Sequence, residues 1–213
     1  MEIIPSILTN NPQELKDLIN KLEGKVARVS IDIIDGKFAD NKTIDPQALA
    51  YIETNLLLDF QLMVDEPVNW IEKCASVGAD RIIGHVEHMR SQEEFIQKAQ
   101  ELGVKIGLGL DLDSPLSLLE PHLVTNLDLV LLMSVKAGFG GQEFDENIIP
   151  KIKDLAEIKA KDKTPFNIHL DGGISLSNIK KLSQLGVDEV SIGHRLIDGN
   201  FEENLAEFQK QIT

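Results

Sequence analysis

The chain has one cysteine, Cys74, so no disulfide can close within it. It also lacks a basic start followed by an apolar core, because the first residues read MEIIPSILTN. Together these absences lead us to expect a reducing, cytoplasmic setting. No apolar run reaches the roughly 20 residues that a bilayer-spanning helix needs, and the candidates around Leu56 and Leu129 are broken by charges. No membrane partner is expected. Positive charge is scarce too: 21 basic residues face 35 acidic ones, a formal net charge of −14. Such a field repels polyanions and argues against nucleic acid or an acidic membrane surface. A small phosphorylated ligand remains compatible, since a few converging backbone N–H groups can hold it at short range. No linker or low-complexity tract divides the chain, and 213 residues with 42% hydrophobic content suit one domain over 1–213.

What is present is an alternation of short β-rich runs with longer amphipathic stretches. Strands are expected at Ile3–Ser6, Val26–Ile33, Leu57–Met63, Arg81–His85, Lys105–Leu110, Leu127–Met133, Phe166–Asp171 and Glu189–Gly193. Helices are expected at Pro12–Leu22, Pro46–Thr54, Pro67–Val77, Gln92–Leu102, Pro115–His122, Glu146–Lys161, Leu176–Leu185 and Glu202–Gln211. Asn11, Asp45, Ser91, Ser114 and Ser175 stand where N-caps are wanted, and Pro12, Pro46 and Pro115 follow three of them. Gly78, Gly103 and Gly186 follow helical runs and lead into the next strand. Eight strand-then-helix units predict a parallel sheet covered by helices, closed as a (β/α)₈ barrel; an open doubly wound sheet is the rival.

In such a barrel, ligands meet the carboxyl ends of the strands and the loops after them. Ser6 ends the first strand, either as a ligand-binding hydroxyl or as an ordinary loop serine. In VSIDIIDGKF, Ser30 and Asp32 share one face of the second strand, and an aspartate inside an apolar strand needs a partner or a task. Asp35 and Gly36 read as the turn that follows. Gln61 and His85 end the third and fourth strands, and each has a structural reading beside a functional one. MSVKAGFGGQEF after the sixth strand brings Gly138, Phe139, Gly140 and Gly141, with backbone amides free to face an anion. NIHLDGG places His169 and Asp171 on one face, with Gly172 and Gly173 turning towards a helix. SIGHRL repeats the device with Gly193 and His194. Three glycine turns after the last three strands converge on one rim, suited to a phosphate.

These residues resemble the ribulose-phosphate 3-epimerase family. PSIL, IDIIDGKF, QLM, GADRIIGHVE, MSVKAGFGGQEF, LDGGI and a glycine at the eighth strand appear in the family's order and spacing over nearly the whole chain. The resemblance implies a ribulose-phosphate-binding TIM barrel that epimerises a ketose phosphate beside its carbonyl. It implies that Asp32 and Asp171 lie on opposite sides of the substrate plane and move the proton through a planar enediolate. It also implies a divalent metal, zinc, iron or manganese, bound by those two aspartates and two histidines. Here the two histidine positions hold Ser30 and Gln61, poor ligands for zinc or iron, so the centre binds such a metal weakly or holds none. Lys136-Ala137 stands where the family has Asn-Pro, Ile34 where it has methionine, and His194-Arg195 where it has a small pair. Lys136 or Arg195 is accordingly either a replacement positive charge or a solvated loop residue. The partner implied is a small phosphorylated sugar, with self-association expected by analogy. A non-catalytic or substrate-shifted paralogue that binds such a sugar is the alternative function.

Overall fold

The computed structural model describes residues 1–161, 163 and 165–212. Eight strands run β1 (Glu2–Ile7), β2 (Arg28–Ile34), β3 (Leu57–Met63), β4 (Ala79–His85), β5 (Lys105–Leu110), β6 (Leu129–Met133), β7 (Asn167–Asp171) and β8 (Glu189–Ile192). Each pairs in parallel with the next and β8 returns to β1, so the sheet closes in chain order. That closure excludes the open doubly wound sheet. Parallel neighbours need a crossover between them, and the intervening segments supply one outside the barrel each time.

The period-2 pattern of the strands decides what faces where. On β2, Val29, Ile31 and Ile33 join the apolar layer between sheet and helices. On β3 the outward set is Leu58, Phe60 and Leu62, and on β7 it is Ile168 and Leu170. The opposite parity fills the lumen. Part of it is apolar, with Ile34, Met63, Ile83, Leu129, Leu131 and Met133 in contact. Polar side chains stand among them, three on the same strands: Ser30, Gln61, His85 and His169 are all fully buried.

Below the mouth lies a buried ion network. Arg81 donates through Nε to Asp59 Oδ2 (2.9 Å) and forks onto Glu189 through Nη1 (2.9 Å) and Nη2 (2.8 Å). Arg28 pairs with Asp59 and, at 2.7 Å, with Asp80. His169 sits above this layer, with Nδ1 3.3 Å from Glu189 Oε2 and Nε2 2.8 Å from Ser191 Oγ.

The helices are α1 (Pro12–Leu22), α2 (Ile71–Ser76), α3 (Gln92–Glu101), α4 (Ile148–Lys159), α5 (Ile179–Gln184), α6 (His194–Ile197) and α7 (Phe201–Ile212). The expected α1 is matched residue for residue, and Asn11 caps it by accepting from Gln13 N and Glu14 N. Two other expected helices are 3₁₀ turns instead: Pro46–Tyr51, and the pair Leu116–Leu118 and Val124–Asn126. Pro121 inside the second of these would remove a donor and clash with the preceding turn. The segment expected as one helix over Pro67–Val77 begins as a 3₁₀ turn, Pro67–Trp70, before α2. Ser114 and Ser175 do not cap helices; Pro115 precedes the 3₁₀ turn and Asn178 precedes α5. The short α6 begins directly after Gly193, where the glycine of SIGHRL was expected to precede helical sequence. No helix among the described residues is long and apolar enough to cross a membrane.

Candidate active site

A cavity of about 330 Å³ opens at the carboxyl ends of the strands. Ser6, Asp32, Asp171 and Gly193 line it, as do His194 and the two glycine turns, Gly138, Phe139, Gly140 and Gly141 on one and Gly172 and Gly173 on the other. The geometry thus brings together residues from positions 6 to 194 of the chain. Phe139 is half-exposed at the entrance.

Local chemistry shapes the rim. Gly173 adopts φ +61°, and a Cβ there would stand 2.3 Å from Phe144 N, so only glycine fits the close approach of these two loops. Ser134 Oγ donates to the carbonyls of Asp171 (3.0 Å) and Gly172 (2.5 Å), which fixes the turn after β7. Asn41 Nδ2 donates to Gly138 O at 2.7 Å and pins the loop after β2 to the loop after β6 across the mouth. Asp35 Oδ1 accepts from Lys37 N and Phe38 N, a turn role as expected.

The two aspartates differ in their surroundings. Asp32 is buried, and its Oδ2 accepts from Ser6 Oγ at 3.0 Å while its Oδ1 has no partner. Burial, with the charge of Asp171 beside it, holds its carboxyl well above the usual carboxylate range. Burial raises Asp171 as well, against four opposing influences: His169, the Gln61 amide, the Gly172 backbone N–H and His85. Two neighbouring carboxylates cannot both ionise cheaply, and the influences that oppose burial gather mainly at Asp171, while Asp32 has Ser6 alone.

Lys136 is exposed and does not line the cavity. Arg195 does line it, but its guanidinium is committed to Gly173 O (3.1 Å), Ile174 O (3.3 Å) and Glu143 Oε1 (2.8 Å), where it clamps the rim. Ser30 and Gln61 are fully buried beside Asp32, Gln61 in direct register with it across β2 and β3. Met63, Met133 and Ser191 also line the cavity, and Ser191 is one of the lining residues that the sequence reading did not single out. Ser191 shares the parity of Glu189 on β8 and sits in register with Asp171, so a parity reading of β8 would have found it.

Closed parallel topology and a site at the carboxyl rim place the chain among the (β/α)₈ barrel proteins. The model of the ribulose-phosphate 3 epimerase family matches residues 2–197, and the chain belongs to that family. Curated relatives include the ribulose-phosphate 3-epimerase of Bacillus subtilis (strain 168), 35% identical over 91% of this chain and 90% of that one. The enzyme of that name from Synechocystis sp. is 33% identical over 96% and 91% respectively. Among solved structures, the 3-keto-L-gulonate-6-phosphate decarboxylase of Vibrio cholerae superposes with a TM-score of 0.71 over 100% of this chain and 96% of that one, at 13% identity. That likeness speaks for the fold.

Proposed function

We propose that the protein is a ribulose-phosphate 3-epimerase whose proton transfer runs between Asp32 and Asp171. The observation that carries this is the pair of aspartates, Asp32 and Asp171, lining one cavity beside the glycine turns, each raised above the usual carboxylate range by its surroundings. Inverting a carbon beside a ketone requires one group to remove its proton from one face and another to deliver a proton to the opposite face. Asp171, ionised, is suited to the removal; Asp32, protonated, is suited to the delivery. In the reverse direction the roles exchange, and after each turnover the single proton has changed owner.

The glycine turns 138–141 and 172–173, with the amides around Gly193, supply the groups for the phosphate. Ser6 orients the Asp32 carboxyl. Met63 and Met133 keep the carbon end of the cavity dry, which strengthens every electrostatic contact there.

The residues do not fit a zinc or iron centre. A hydroxyl and an amide stand where imidazole would be needed, and no group of three or more His, Cys, Asp or Glu among the described residues could hold a metal ion. Charge on the enediolate oxygen is met in this reading by hydrogen bonding from the protonated carboxyl.

Incubation with ribulose 5-phosphate in deuterated water tests the reading. Deuterium should enter at C3 with epimerisation, and Asp32→Asn and Asp171→Asn should each abolish epimerisation. Binding of the sugar phosphate without any exchange would overturn it.

A further inference from the structure

The two-carboxylate reading leaves a hydroxyl of the cavity without a task. Ser191 lines the cavity together with Asp32 and Asp171, and its Oγ is tied from below to His169 Nε2 at 2.8 Å. We propose that Ser191 is a further catalytic residue, whose hydroxyl bonds an oxygen of the C2–C3 enediolate, and that His169 is the positioning residue that holds it there. The inference rests on the reading above and deepens it, since the charge of the intermediate then meets a second donor beside the Asp32 carboxyl.

The register of β7 and β8 sets the height. Ser191 pairs directly with Asp171, so the two side chains leave neighbouring strands at one level. Ser191 also stands two residues before Gly193, about 7 Å below the glycine rim at the usual rise of a strand. A sugar phosphate gripped at the rim by its phosphate turns its far carbons, C2 and C3, towards that depth. The carboxylate that removes the C3 proton and the hydroxyl next to it therefore face the same two carbons.

Ser191 has bonding capacity to spare. Ser6, another hydroxyl of the cavity, gives its only proton to Asp32 Oδ2 at 3.0 Å. A serine hydroxyl carries one proton and two lone pairs, and the bond to His169 uses one of the three. Whichever way that bond runs, Ser191 keeps a group for the cavity. Once the ketone has become an enediolate, the substrate oxygen is a strong acceptor, and Ser191 donates to it while accepting from His169 Nε2–H. No proton passes along the pair; the C3 proton still goes to Asp171.

His169 is a firm support. It is fully buried on β7, and its other ring nitrogen lies 3.3 Å from Glu189 Oε2. That carboxylate is gripped by both terminal nitrogens of Arg81 and by Asn167 Nδ2 at 2.7 Å. The imidazole rests on a fixed carboxylate and has nowhere to retreat from Ser191.

Kinetics on ribulose 5-phosphate test this with Ser191→Ala, Ser191→Cys and His169→Gln. Ser191→Ala should lower kcat by about ten- to a hundredfold, the range for losing one hydrogen bond to a charged group. KM should change by less than about twofold, the signature of an interaction made only as the charge develops. Ser191→Cys, a weaker donor of similar shape, should retain more turnover than Ser191→Ala. His169→Gln should slow the wild type but cost nothing further in Ser191→Ala, because the ring acts only through the hydroxyl. Inhibition by inorganic phosphate reads the glycine rim and should be the same in all of them.

A kcat in Ser191→Ala within about twofold of wild type would overturn the inference. So would a further loss on adding His169→Gln, or phosphate inhibition that weakens in step with kcat, which would make Ser191 a support of the rim. Should His169→Gln fail to fold, the two Ser191 variants decide alone. Wild-type protein that exchanges no C3 hydrogen would instead sink the two-carboxylate reading, and this inference with it.

Discussion

Arg81→Met is the sharpest test of what holds the site up from below. The guanidinium is 4% exposed and bridges Asp59 on β3 to Glu189 on β8, two strands on different sides of the lumen. Removing it leaves two buried carboxylates short of a partner, which typically costs about 3–5 kcal/mol. Asp59 keeps Arg28 and Glu189 keeps Asn167 Nδ2 at 2.7 Å, so the lower figure applies. For a domain of this size each kcal/mol moves the melting temperature by about 2–4 °C. The expected fall is therefore about 6–12 °C by calorimetry or circular dichroism. Replacing Asp59, Arg81 and Glu189 together by apolar residues should recover part of the loss, because the cost lies in the unpaired charge and not in the absent bridge. Arg81→Met melting within 2 °C of wild type, against the shift worked above, would refute the reasoning.

Other consequences concern pH, the rim and metals. Glu87 is held at about 2, against 4.5 for an ordinary glutamate, by His85 and its hydrogen bonds despite partial burial. Its lowered value means stability that is complete above pH 4.5 and lost as pH falls towards 2, about 3 kcal/mol in all. Acid denaturation of Glu87→Gln should lack that component; a wild-type-like acid transition would contradict it. Gly173→Ala should fold poorly or lose phosphate affinity, since φ +61° and the 2.3 Å approach to Phe144 N leave no room. Gly140→Ala meets nothing within 4 Å and should keep its melting temperature, so thermal scans of the two separate constraint from composition. Dialysis against a chelator should leave turnover unchanged. Ser30→His combined with Gln61→His puts two imidazoles beside Asp32 and should bind zinc by elemental analysis where the wild type does not; a stoichiometric metal in the wild type would reverse that view of the donor set.

The strands were legible because barrel strands carry their signal locally. Val29, Ile31 and Ile33 alternate with Ser30 and Asp32, and that parity alone separates the helix-facing layer from the lumen. Closure was less legible, since an open sheet would show the same alternation; it depends on β8 pairing with β1, a contact between the two ends of the chain. The helices failed where length was short and prolines were many. Pro46 and Pro115 mark true starts of turns, but six residues ahead of the β-branched Ile52, and a segment interrupted by Pro121, cannot complete an α-helical ladder. At the site, the aspartates and glycines could be found because their residue types are unusual for their positions. His85 could not be assigned, because its surroundings come from other strands: the amide of Gln61 on β3 and the gap left by Gly109 on β5. A residue's chemistry can be read from its type, but its protonation and orientation belong to neighbours that the chain supplies only after folding. Sequence reasoning therefore identifies the groups that carry the proton sooner than the groups that aim them.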